Sequence, residues 1–210
     1  DMVNSLNVFP VPDGDTGTNM SLTMRAALAE LDSRPHETVS QVARVVSEGA
    51  LMGARGNSGV ILSQVLRGMA RALDGAKELC APDLARAFSE GVTTAYRGVM
   101  KPVEGTMLTV AREAAEAAQK AAEAGASLRD TLDQALVGAQ ASLERTPRLL
   151  PVLAEAGVVD AGGQGLVALL EGASRYAHGE AVDVAPAAGA AMVRARTVSG
   201  ETYNYDVQYI

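Results

Sequence analysis

Tryptophan is absent from these 210 residues, phenylalanine and histidine occur twice each, and cysteine occurs once. A single cysteine, Cys80, excludes an intrachain disulfide framework and fits a reducing cytoplasm; the side chain itself reads as a small buried apolar group rather than a reactive thiol. His36 and His178 fall outside the motifs described below. The chain offers no Ser-His-Asp order, Cys-His pair or zinc spacing, which argues against hydrolytic nucleophile chemistry. A surplus of cations is missing too: 18 Lys and Arg stand against 25 Asp and Glu, a formal net charge of -7. Nucleic-acid backbones are held mainly by Lys and Arg, so a nucleic-acid partner is not expected. No apolar run approaches the ~20 residues that span a bilayer, and the opening residues lack a basic segment followed by an apolar stretch. These features predict a soluble cytoplasmic protein that does not span a membrane. The start at Asp1, without an initiating Met, leads us to expect residues upstream.

The chain is 48% hydrophobic but only 3% aromatic, and its recurrent Ala and Leu favour helices over strands, which predicts an all-α fold. Helical spacing runs through Met20, Met24, Ala27, Leu28 and Leu31, and again through Val39, Val42 and Val46. A further helix is expected from near Ser58, with Ile61, Val65, Met69 and Leu73 on one stripe, and another led by Pro82. Thr106 to about Ala124 reads as an Ala-rich and Glu-rich helix stopped by Gly125, and Ser127 opens the next, with Leu128, Leu132 and Leu136 inward. A short piece near 149–156 and a last helix from about Gly165 to His178 follow. Short breaks between such helices favour antiparallel neighbours in a bundle or closed ring. Residues 1–178 are thus expected to form one helical domain, 179–192 a linker, and 193–210 the start of a further domain. In that last stretch Tyr203, Tyr205, Val207 and Tyr209 alternate as in a strand.

Chemistry concentrates in four glycine-rich segments. In Pro12-Asp13-Gly14-Asp15-Thr16-Gly17-Thr18-Asn19-Met20 two acids flank a glycine just before a helix. Such a pair suits Mg²⁺, which takes one or two carboxylates and completes its shell with phosphates and water. An Asx-rich turn with Thr18 or Asn19 capping the helix remains the alternative at this point. An EF-hand loop does not fit, because its fifth position would be Gly17. The segment Gly53-Ala54-Arg55-Gly56-Asn57-Ser58-Gly59 aims a glycine-rich turn at a helix N-terminus, where unpaired N–H groups can receive phosphate, but it lacks the Lys of a Walker A loop. Glu104-Gly105-Thr106-Met107 and Asp160-Ala161-Gly162-Gly163-Gln164-Gly165 repeat the theme. Each could be an ordinary interhelical turn. Alternate loops of an antiparallel bundle gather at one end, however, so four such segments together point to a ligand site. Metal-bearing acids and backbone N–H loops are what phosphoryl transfer requires, since it rests on positioning and charge neutralisation.

Together with Asn7-Val8-Phe9-Pro10-Val11 upstream, these segments, in this order, resemble the nucleotide-binding domain shared by dihydroxyacetone kinases and by the ATP-binding component of bacterial fatty acid kinase, over about residues 3–178. The resemblance implies an antiparallel barrel of eight helices with the nucleotide at one end. It implies Asp13 and Asp15 as ligands of a pair of Mg²⁺ ions bridging the ATP phosphates, with Asn7 standing where dihydroxyacetone kinases carry a third acid. Thr16, Gly17, Thr18 and Asn19 would border the phosphates, and Gly56, Asn57, Ser58 and Gly59 would approach them from the second segment. Thr106 and Met107 would lie by the nucleoside, and Asp160, Ala161 and Gly162 would close the pocket. Thr16, where dihydroxyacetone kinases tend to carry His, and the run Val158-Val159-Asp160-Ala161-Gly162-Gly163-Gln164-Gly165 look like the fatty acid kinase branch. By that resemblance ATP would phosphorylate a fatty acid held by a separate lipid-binding partner protein, giving acyl phosphate for phospholipid synthesis. The competing readings are the ATP-binding part of a dihydroxyacetone kinase and a non-enzymatic regulator that binds nucleotide or lipid; a homo-oligomer is left open.

Overall fold

Thr38, Ser127 and Asp160 each open a helix with the side-chain bond that Thr, Ser and Asp favour at that position: Thr38 accepts from the Gln41 N–H, Ser127 from Asp130 and Asp160 from Gly163. At Thr38 the Gln41 side chain also accepts from the Thr38 N–H, completing a capping box. A computed structural model describes residues 2–180. It contains α1 (Met2–Ser5), α2 (Thr16–Asp32), α3 (Val39–Met52), α4 (Gly56–Ala72), α5 (Ala81–Gly98), α6 (Met107–Glu123), α7 (Leu128–Leu149), α8 (Pro151–Ala156) and α9 (Ala161–Ala177), with no strand among the described residues. The expected all-α bundle is the fold found. The linker and strand expected over 179–192 and 193–210 fall, apart from Gly179 and Glu180, outside the described residues.

The long helices that follow one another along the chain, α2 to α7 and then α9, run antiparallel. Gly98 of α5 faces Gln64 of α4, Gly91 faces Val65, and Arg86 reaches the Ala72 carbonyl. Gly138 of α7 packs on Ala114 and Ala117 of α6, while Gln140 and Ser174 bond across α7 and α9 to Glu171 and Asp133. Contacts pass from α2 through α3, α4, α5, α6 and α7 to α9, and α9 returns to α2, so the bundle closes into a ring. Within it α2, α4, α6 and α9 share one direction.

Small residues set the spacing of these helices. A Cβ on Gly68 would overlap the backbone of α5 at Glu90 and Gly91, and one on Gly49 would stand 2.8 Å from the Ala27 Cα. Close approach of this kind substitutes for aromatic bulk and accounts for the low aromatic content. Inside the ring Met20, Leu62, Met107, Val110, Leu143, Leu166, Val167 and Leu170 form the main core with several alanines. Truncating one of the larger of these to Ala is expected to cost about 2–5 kcal/mol.

Four local expectations are corrected. Helices α2, α4 and α9 start earlier than their apolar stripes indicate, because glycines that look like loop residues belong to first turns. Val45 rather than Val42 or Val46 is the buried valine of α3. Leu128 is partly exposed at the first position of α7 instead of facing inward. Cys80 is exposed: it occupies the N-cap position of α5, and its thiol donates to Asp83 Oδ2 at 2.9 Å.

Candidate functional site

The first turn of α2 is held by two asparagines upstream of it. Asn7 Oδ1 accepts from the Thr16 N–H at 3.2 Å and from the Thr16 hydroxyl, and Asn7 Nδ2 donates to the Val11 carbonyl. Asn4 and Thr18 bond reciprocally: Thr18 N–H donates to Asn4 Oδ1 at 3.1 Å, and Asn4 Nδ2 donates to Thr18 Oγ1 at 2.9 Å. Two N–H groups that lack intrahelical partners are thereby satisfied. Neither Thr18 nor Asn19 caps the helix; Asp15 is the N-cap residue, and its carboxylate makes no capping bond. Asp13 is exposed and Asp15 half-buried, on either side of Gly14. Their carboxylates have no hydrogen bond or ion pair among the described residues, since Asn4 and Asn7 do the capping.

Helix α4 begins directly on this turn. Gly56, at φ +55°, lies against the Asn19 side chain, Ser58 Oγ donates to the Thr16 carbonyl at 3.4 Å, and the Arg55 N–H donates to Thr23 Oγ1 at 3.2 Å. Thr23 is wholly buried and donates back to the Asn19 carbonyl at 2.8 Å, so it locks the two helix starts together. Gly59 is buried against Thr23, whereas Asn57 is exposed at the mouth of this junction.

A second pair of helix starts meets at Asp160. This carboxylate is 5% exposed and accepts from the Gly163 N–H at 2.7 Å in α9 and from the backbone of Met107 at the start of α6. Its own N–H donates to the Thr146 hydroxyl of α7. Burial pushes the Asp160 carboxyl up to about 6, against the opposing pull of those two backbone donors. Ala161 is buried beside it, and Gly162 fits because a Cβ there would already be 3.1 Å from the Met107 Cβ and 3.3 Å from Asp160 Oδ2. Met107 is itself a core side chain, 3% exposed, so what it presents at this end is backbone. Thr106, half-buried, directs its hydroxyl to the Val103 carbonyl at 2.8 Å.

The two pairs adjoin through Gly165 of α9, where a Cβ would stand 2.5 Å from the Met20 sulfur of α2. All four glycine-rich segments of the sequence therefore lie at the same end of the ring, at the starts of α2, α4, α6 and α9. Sequence reasoning missed Asn4, Thr23 and Thr146, each of which bonds a group distant in the chain, and no local pattern announces them.

The donor set can be weighed against a metal. Among the described residues no group of three or more His, Cys, Asp or Glu could hold an ion. Two carboxylates without partners among the described residues nevertheless suit Mg²⁺, which completes its octahedron with phosphate oxygens and water rather than an all-protein cage. Asn7 Oδ1 is already engaged by Thr16, so ligation by Asn7 would require those bonds to open. Among the described residues no helix is long and apolar enough to cross a membrane.

A family model described as the DAK2 domain matches residues 10–175. An uncharacterized protein of Staphylococcus epidermidis is 48% identical over 183 residues, which is 87% of this chain and 33% of that protein. Uncharacterized proteins of Staphylococcus aureus strains RF122 and USA300 are each 49% identical over 183 residues, with the same shares. The chain thus spans about a third of the length of these curated relatives.

Proposed function

This chain belongs to the DAK2 domain family, and we propose that it is the ATP-binding domain of a kinase that phosphorylates a fatty acid presented by a separate lipid-binding protein. The carboxylate oxygen of the fatty acid attacks the γ-phosphorus of ATP, the bond to the β–γ bridging oxygen breaks, and acyl phosphate and ADP result. The product feeds phospholipid synthesis, and the reaction takes place in the cytoplasm.

One observation carries this reading: four glycine-rich helix starts converge at one end of the ring, beside two carboxylates that no group among the described residues occupies. In this assignment Asp13 and Asp15 hold Mg²⁺, with Asn7 behind them. When bound, the metal neutralises charge on the phosphates and on the leaving group. Thr16, Gly17, Thr18 and Asn19 border the phosphates from α2, and Gly56, Asn57, Ser58 and Gly59 from α4. Thr106 and Met107 flank the nucleoside through their backbone. Asp160, Ala161 and Gly162 close the pocket, Asp160 by fixing two helix starts. The acyl acceptor rests on the resemblance of the Asp13 and Asp160 segments to bacterial fatty acid kinase.

The test is to follow acyl phosphate with labelled ATP, giving oleate either free or on a lipid-loaded carrier, and using this chain or the full-length protein. Product from the full-length protein and loaded carrier alone is the expected result. Robust product from this chain with free oleate overturns partner dependence, and absence of Mg-ATP binding overturns the kinase reading.

A further inference from the structure

Just ahead of α6, the carboxylate of Glu104 collects three donors. Tyr96 of α5 donates its hydroxyl to Oε1 at 3.1 Å, and Thr109 and Arg112 of α6 donate to Oε2 at 2.8 and 3.0 Å. Thr109 is wholly buried, and its hydroxyl accepts the Gly105 N–H at 2.9 Å while donating to Glu104. A hydroxyl has one proton to give, so donating it to Glu104 leaves its lone pairs for Gly105. Gly105 is at φ +82°, and its other side is walled by Leu149 and Leu150, each with a Cβ 2.9 Å from where a Gly105 Cβ would be. Arg112 is braced in turn by Glu113 and Glu116, and Glu113 is bridged to Arg145 of α7. Burial works against the Glu104 charge, but the Thr109, Arg112 and Tyr96 donors outweigh it and hold this carboxyl below the usual carboxylate range.

We propose that Glu104 is a positioning residue that sets the Gly105-Thr106-Met107 turn against the nucleoside by tying α5 to the turn through the Tyr96 hydroxyl and α6 through Thr109 and Arg112. This rests on the nucleotide-binding reading given above. The anchor lies on the nucleoside side of the site and not among the residues assigned to phosphate, so its loss changes what the site prefers. Glu104 is half-exposed, so it can be replaced without opening the core.

The experiment compares Mg-ATP with magnesium tripolyphosphate by calorimetry for the wild type, Glu104→Ala, Thr109→Val and Thr109→Ser. Loss of an anchoring hydrogen bond corresponds to about fivefold in affinity. ATP binding is expected to weaken by about that factor or more in Glu104→Ala and Thr109→Val, with tripolyphosphate binding unchanged. Thr109→Ser, which keeps the hydroxyl, is expected to match the wild type. ATP affinity that is unaltered in Glu104→Ala, or parallel loss of both ligands, overturns the positioning role. Wild-type protein that binds neither ligand overturns the nucleotide reading and this inference with it, a result distinct from a change confined to the variants.

Discussion

The α-carbon of Gly56 lies against the side-chain amide of Asn19 with no room for a β-carbon between them. Two motifs well separated in sequence are joined there, and the backbone at Gly56 is left-handed as well, φ +55°. Gly56→Ala therefore meets a steric overlap and a conformation that L-residues avoid, and should lose about 2 kcal/mol in urea denaturation. Asn19→Ala in the same chain should return only the overlap part, because the backbone strain stays. If Gly56→Ala proves as stable as the wild type, the two helix starts are not packed as described.

Asp13→Asn and Asp15→Asn should abolish Mg²⁺-dependent ATP binding while leaving the melting curve within about 0.5 kcal/mol of the wild type, because among the described residues neither carboxylate caps a helix or pairs with a cation. Calorimetry with Mg-ATP and circular dichroism measure the two quantities. Unchanged affinity in both variants would remove the metal assignment.

Asn7→Ala should behave in the opposite way in the absence of any nucleotide. It strands the buried Thr16 N–H at the start of α2, and a lost cap costs about 1 kcal/mol. Thermal denaturation of metal-free protein reads this directly. A variant that is unaltered without metal and impaired only with Mg-ATP would assign Asn7 to the ion instead.

Asp160 predicts an unusual slope of stability with pH. Its folded value, about 6, lies above the ordinary 3.8. Between those two values the folded protein holds a proton that the unfolded chain has released. Stability from this group is thus fully present at the acid end, falls as pH rises through that window, and levels off above it. The total change is at most about 3 kcal/mol. Denaturant titrations from pH 4 to pH 7 should show Asp160→Asn lacking this fall. Equal slopes in the two proteins would place the Asp160 proton elsewhere.

The all-helical fold is legible in the sequence because the amphipathic stripes of α4 and α5 are long and regular, and because Ser127, Gly125 and Gly157 punctuate the chain between helices. The helix starts are not. Gly17, Gly59, Gly163 and Gly165 look like loop residues, whereas the chain uses them in or just past first turns, where a neighbouring segment leaves no space. Nothing local distinguishes a glycine kept for backbone freedom from one kept for closeness; that depends on residues such as Thr23 and Met20 on another helix. Two acids around a glycine are visible in the sequence, but not that Asn4 and Asn7 relieve them of capping duty. The same limit applies to Asp160: its segment is recognisable as a motif, and only the meeting of α6 and α9 gives its carboxylate two backbone donors.

The shared direction of α2, α4, α6 and α9 gives this acidic protein a source of positive potential that owes nothing to lysine or arginine. Each helix start carries about half an elementary charge of peptide dipole, so four at one end amount to a fixed charge of about two. Peptide groups do not titrate, cannot be acetylated, and are indifferent to which side chains they carry. The main chain itself therefore supplies part of what holds an anion at that end, offsetting the charges of Asp13, Asp15 and, above about 6, Asp160, and its share weakens when a helix start unwinds.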